Sequence, residues 1–572
     1  MDAADPVLDP QAPTPEPTVP LPSASRRSGT STGTAISWLV VLAIAGYLAG
    51  VYLVGWPNPL DWISSIPFEW QAATPEFVVL LFALLAPLVG LWDTDRRGMQ
   101  QFALIGLGGG FLLTLGSLLD FTRDLPGTDV DFTLEYIGSN IGGIYAVTYA
   151  SQLLKLLFLG VGVLAVIGIG RPLAGKTEQD YGEFYSLLLF ATLGMMIVAS
   201  SQELFTLFLG IEMTSMSSYL LAAFRRDRVG SEAALKYFVI GAISSGMTLF
   251  AISLLYGMAG TTVIADMGAA ITAGGDYDAV SLLAIVLLLA GLGFKVSAVP
   301  FHAWAPDVYS GAPVPVAGVL ASASKAMGFI AIFQVFLVGL VGVKSNWELA
   351  VGLLAVVTMT VGNLVALQQT NLRRMLAYSS IAQAGYILIA VAVGTWFAVG
   401  GGIFHLLTNA AMKLGAFLVV GALLYAGIPD HIEGWRGLGK RAPLLAFAMT
   451  VFLLSMAGLP PFGGFASKFV LFSGAIDAGV TSGLGWLAWL AVAAVLNSAL
   501  SLYYYLRVIR AMYVDDPQAG AEGATVERID VPVGTTVAVV ACLVLVLAMG
   551  LMPQPFVEAS MKAAQALLLP QP

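Results

Sequence analysis

Runs of about twenty apolar residues recur from Ala35 almost to the end of the chain, each near the length that crosses a hydrocarbon layer roughly 30 Å thick. They fall at 35–56, 76–92, 99–118, 145–169, 183–200, 202–223, 232–258, 279–305, 313–341, 347–367, 374–394, 397–427, 443–475, 481–506 and 531–552, which predicts about fifteen spans. A backbone in hydrocarbon must satisfy its own hydrogen bonds, so the expected fold class is an all-α polytopic membrane protein. Composition agrees: 58% of the residues are hydrophobic and 11% are charged, against roughly 25% charged in soluble domains.

Residues 1–34 are rich in Pro, Ser, Thr and acid and carry almost no large apolar side chain, which predicts a disordered tail. The run at 35–56 is longer than the apolar part of a signal peptide and is expected to stay as an extra N-terminal spanning helix. If the spans alternate, Arg96 and Arg97, Arg225, Arg226 and Arg228, Arg373 and Arg374, Lys440 and Arg441, and Arg507 and Arg510 share one face, the cytoplasmic one by the positive-inside rule. The formal charge of -9 and the lack of a basic patch do not suggest nucleic acid as a partner. The single cysteine, Cys542, lies within an apolar run, so no disulfide forms within the chain and no cysteine pair is present to hold a metal.

Charged residues inside apolar runs are costly and mark function. Lys295, Lys325, Lys413 and Lys468 lie well inside their runs, too deep for snorkelling, and Glu212 falls near the centre of its own, either protonated or paired with a buried cation. Lys236 sits a few residues into its run, where snorkelling to the interface is an equal reading. His302 and His405 titrate in the range that suits a relay between lysines. Glu203 reads equally as an interfacial or a functional acid, Asp307 as a turn residue, His431 as ordinary surface, and Lys155 is unexplained.

Proline interrupts two runs, at Pro300 in VSAVPFHAWAP and at Pro460–Pro461 in MAGLPPFGGFASK, so a helix should break beside Lys295 and another before Lys468. This pairing predicts two structural repeats, 183–341 and 347–506, flanked by N-terminal helices over 76–170 and a C-terminal helix over 531–552. Each half holds five spans, and an odd number inverts the next copy.

The text FKVSAVPFHAWAPDVYSGAPVPV followed by ASASK, with GEFYSLLLFATLGMMIVAS, FLGIEM, SEAALKY and FGGFASKF, resembles the antiporter-like membrane subunits of respiratory complex I, nearest to subunit N of the bacterial NADH:quinone oxidoreductase. The likeness runs from about Glu183 to Arg510. It implies a proton-translocating subunit of the inner (plasma) membrane, with Glu212 paired to Lys236 and a relay through Lys295, His302, Lys325, His405, Lys413 and Lys468. It also implies no cofactor in this chain, FMN and iron-sulfur clusters in partner subunits, quinone reduced in neighbouring ones, and other membrane and peripheral complex I subunits as partners. Lys468 argues against the middle antiporter-like subunit, which tends to carry an acid there. Two other readings share these features: a subunit of a multi-subunit cation/proton antiporter, and one of a related membrane-bound hydrogenase or dehydrogenase.

Overall fold

A computed structural model describes residues 73–92, 96–119, 140–169, 180–273, 278–516 and 529–568. The expected tail and first span at 1–56 lie outside them. Apart from the two-residue strands Asn140–Ile141 and Tyr145–Ala146, the regular structure is helical: α1 Thr74–Trp92, α2 Arg96–Leu119, α3 Tyr149–Gly168, α4 Asp180–Ser200, α5 Leu204–Ala222 and α6 Arg228–Ala259. There follow a short α7 Ile264–Ala273, α8 Asp278–Val296, α9 Trp304–Gly311, α10 Val314–Gly339, α11 Glu348–Gln368 and α12 Leu372–Val393. The last six are α13 Trp396–Tyr425, α14 Pro443–Ala457, α15 Gly463–Thr481, α16 Gly485–Tyr513, α17 Val533–Leu551 and α18 Gln554–Leu568.

Among the described residues, thirteen helices are long and apolar enough to cross a membrane. The count differs from the expected spans in part because the run at 443–475 forms two pieces, of which the first, α14, has 15 residues. The run at 279–305 is likewise not one helix. α8 stops at Val296, the chain turns through Ser297 at φ +59, and α9 begins only at Trp304.

Local chemistry sets the helix ends. Thr148 and Ser151 form a reciprocal cap on α3, each hydroxyl accepting the other's backbone N–H at 3.1 and 2.9 Å. Asp227 caps α6 through Gly230 N at 2.7 Å, and α12 starts at Asn371, which accepts from Arg374 N at 3.1 Å. Gly260 and Gly394 close α6 and α12 at φ +67 and +68, a conformation that costs glycine least.

α10, α12 and α13 form the centre of the bundle, and 94 to 100% of their most apolar windows is buried. α13 packs against α12 on one side and α14, α15, α17 and α18 on others. α6 holds α8 and α9 but is only 33% buried, and it turns Leu235, Phe238, Val239, Ile243 and Phe250 outward. These outward side chains face lipid or another chain.

Candidate functional site

The site is assembled from interrupted helices. Lys295 occupies the last turn of α8, where the carbonyl end of the helix favours a cation, and it is 5% exposed. Its ammonium donates to Ser215 Oγ of α5 and stands 5.9 Å from the Tyr219 ring centroid. A cavity of about 10 Å³ lies between α5, α6 and α8, lined by Glu212, Ser244, Ser245 and Lys295. That is about the space of one water molecule. Ser245 Oγ donates to Glu212 Oε1 at 2.5 Å.

The expected pair of Glu212 with Lys236 is not formed. Lys236 is bound by Glu232, one turn earlier on α6, at 2.9 Å and by Asp307 of α9 at 3.0 Å. The physical reason is depth. Glu212 lies level with Ser245, nine positions beyond Lys236 on α6, or about 13 Å along a helix axis. Asp307, read from sequence as a turn residue, also takes Arg374 of α12 at 2.9 Å and so ties α6, α9 and α12 together.

Lys325 is 2% exposed and follows a π-wound stretch, Leu320–Ser324, with a second at Phe333–Gly339. Such stretches interrupt the regular helical ladder and recur at functional sites. Lys325 Nζ has no hydrogen-bond partner among the described residues and stands 5.9 Å from the Tyr309 ring centroid. His302 lies in the irregular link between α8 and α9, half-buried, with Nδ1 enclosed and unpartnered among the described residues.

Lys413 of α13 is fully buried and donates to Ser379 Oγ at 2.7 Å and Leu376 O at 3.1 Å, both on α12. His405, two turns earlier on α13, is held between Gln383 Oε1 and Ser467 Oγ, each 2.9 Å away. Lys468, in the second turn of α15, donates to Met456 O and Ser498 Oγ at 2.8 Å and lies 4.4 Å from the Tyr386 ring centroid. Met456 O is one of the carbonyls left unpaired where α14 ends, so the break itself supplies the acceptor.

Glu203 caps α5 by accepting from Thr206 N at 2.7 Å. Burial opposes its negative charge, but these hydrogen bonds prevail and hold the carboxyl below its ordinary range. His431 is exposed in the loop after α13. Lys155 is not a lone mid-span charge: it forms an ion pair with Glu76 of α1 at 2.8 Å. No spacing rule joins positions so far apart, and the only sequence signal was the presence of an acid and a base in separate apolar runs.

Interrupted helices carrying buried cations inside a polytopic bundle define a membrane protein of the ion-translocating class. The comparisons make this particular. The chain belongs to the NADH:quinone oxidoreductase/Mrp antiporter transmembrane family, whose model matches residues 201–499. It is 43% identical to subunit N of the F(420)H(2) dehydrogenase of Methanosarcina mazei, over 87% of this chain and 99% of the relative. It is 42% identical to NADH-quinone oxidoreductase subunit N of Trichlorobacter lovleyi, over 77% and 86%. A chain of respiratory complex I from Thermus thermophilus superposes with a TM-score of 0.68 at 34% identity, covering 85% of this chain and 98% of that one.

Proposed function

We propose that this chain is the proton-translocating, antiporter-like N subunit of a NADH:quinone oxidoreductase of the inner (plasma) membrane. The observation that carries the reading is the succession of buried cations, Lys295, Lys325, Lys413 and Lys468, with His302 and His405 among them and Glu212 at one end. Protons enter from one face, pass along this row and leave at the other. Each lysine takes a proton while its neighbours are neutral, because like charges buried in one row disfavour one another. Glu212 holds the proton on Lys295 while it is ionised and releases it when it is not. Lys236, bound at the arginine-rich face, gates access to this end.

On this reading the helices at 183–341 and 347–506 are two inverted five-helix repeats, each built around one interrupted helix. The first three described helices and α17 brace them. Electron transfer belongs to partner subunits, which carry FMN and iron-sulfur clusters and reduce quinone, and this chain contributes no redox chemistry of its own. The match with 99% of the length of a F(420)H(2) dehydrogenase subunit favours a second reading in one respect, a donor other than NADH. The test is to tag the chain, isolate the assembly it belongs to and assay that assembly with NADH and with a reduced deazaflavin. Quinone reduction coupled to acidification, lost in Lys295→Ala with electron transfer retained, supports the proposal. Unchanged acidification in that variant overturns it.

A further inference from the structure

A buried ion pair lies outside the residues matched by the family model. Lys155 of α3 is 0% exposed and Glu76 of α1 is 6% exposed, and they meet at 2.8 Å. Lys155 Nζ also donates to Tyr145 Oη at 2.7 Å. Both charges lie near the ends of α1 and α3 opposite the arginine-rich loops, since α1 runs from Glu76 toward Arg96. Burying two charges is costly and often no more stabilising than an apolar pair, so packing alone does not account for it.

Beyond the Tyr145 hairpin lies space for water. The Tyr145 hairpin bridges to Ser201 at the end of α4. A cavity of about 30 Å³ is lined by Thr148, Ser201, Gln202, Gln334, Ala566 and Leu567. It is large enough for about two waters and has the polar walls that hold them. Gln334 turns a donor to Ser201 O at 3.2 Å, while its buried Oε1 has no hydrogen-bond partner among the described residues, as a hydrated wall requires. Gln334 also lies nine positions after Lys325 on α10, about 13 Å along the axis. The cavity is thus walled by Gln334 of α10, the helix that carries Lys325, and by Ser201, which bridges to the Tyr145 hairpin, with Ala566 and Leu567 of α18 completing the lining.

We propose that Glu76, Lys155 and Tyr145, with this cavity, form a proton-release site on the face opposite the arginine-rich loops. The inference rests on the proton-translocating reading above and deepens it. In the transfer step an N–H bond of the Lys155 ammonium breaks and an O–H bond forms on Glu76, leaving a neutral amine beside a neutral acid. The acid then gives its proton to water, and the amine takes the next proton through the Tyr145 hydroxyl and the cavity waters. Burial, with the Glu76 carboxylate beside it, holds Tyr145 well above its ordinary range, so it relays protons as a neutral hydroxyl.

The test uses the whole assembly in sealed vesicles, reading protons moved per electron together with electron-transfer rate and subunit content. Lys155→Arg keeps the ion pair, but a guanidinium does not release its proton at any working pH. The expected result is loss of this chain's share of proton movement with electron transfer and assembly intact. Should Lys155→Arg fail to assemble, the double variant Glu76→Gln with Lys155→Met, which removes both buried charges together, decides with the same expectation. Wild-type pumping in whichever of the two assembles makes the pair structural and overturns the inference. Lys295→Ala in the same vesicles separates the two readings: pumping lost there but kept in Lys155→Arg sinks only the release site, while pumping kept in both sinks the parent proposal.

Discussion

The two interrupted helices solve one problem in different ways. At the first, Lys295 precedes the break and shares a water-sized cavity with Glu212, so its charge has a carboxylate to answer it. At the second, Lys468 follows the break, and both of its hydrogen bonds go to neutral oxygens, the Met456 carbonyl and the Ser498 hydroxyl. Lys413 and His405 beside it are likewise held by neutral groups. A carboxylate can be neutralised by one proton and so switch its partner, whereas a carbonyl offers a fixed environment. On the proposed reading the first half is the place where charge is gated and the second the place where it is carried.

The largest effect that would break this contrast comes from Glu212→Gln. It leaves Lys295 with Ser215 alone, and proton movement measured as vesicle acidification should fall by about ten-fold or more, the cost of roughly 1.4 kcal/mol at one step. Wild-type acidification would mean that the two halves do not differ in this way. Ser498→Ala should act more weakly, because Met456 O still holds Lys468. One neutral acceptor is lost and one is kept, so pumping slowed by less than in Glu212→Gln, with an unchanged electron-transfer rate, is the expected readout.

The breaks also differ in how closely they pack. A Cβ on Gly464 would lie 1.8 Å from Ser455 O, a backbone atom, while one on Gly291 would meet Thr248 Oγ1 at 2.0 Å, a side chain that can rotate. Gly464→Ala should therefore lower thermal stability in detergent by about 1–3 kcal/mol, and Gly291→Ala by less. Equal losses would contradict the closer packing at the second break.

The smallest expected effect is at the loop after α13. Burial would raise the Asp430 carboxyl, but the Arg373 guanidinium outweighs it and holds it below the ordinary aspartate range. A lowered folded-state value means that the pair contributes stability above the ordinary value near ~3.9 and loses it as pH falls through the lower folded value. Arg373→Leu should lower the melting temperature at neutral pH and converge with the wild type in acid, which flattens the acid limb, and an equal loss at neutral and acid pH would assign the arginine a packing role instead.

Much of this was legible because membrane burial makes polar residues conspicuous. Pro300 and Pro460–Pro461 announced both breaks, and Lys325 and Lys413 stood out in runs with no other charge. What escaped was depth and partnership. The segment that holds Lys236 was readable as a span, yet only packing sets Ser245 level with Glu212 and brings Asp307 to Lys236. Lys155 could not be matched to Glu76 from sequence because the pair spans two helices with another between them. α18, with one apolar face and 15 residues, is too short and too polar to register as a span.

The C-terminal end of the described fold returns to its beginning. α17 and α18 both pack against α3, and Thr535 Oγ1 donates to Gly168 O at 3.1 Å. α18 also lies against α13 and closes the cavity beside the Tyr145 hairpin. Because chains emerge in order from the ribosome, α3 waits without these neighbours until α17 and α18 are made. Translation and closure are therefore separate events for this protein. A product lacking α17 and α18 would leave that flank of α3 uncovered and the Gly168 carbonyl without the Thr535 hydroxyl.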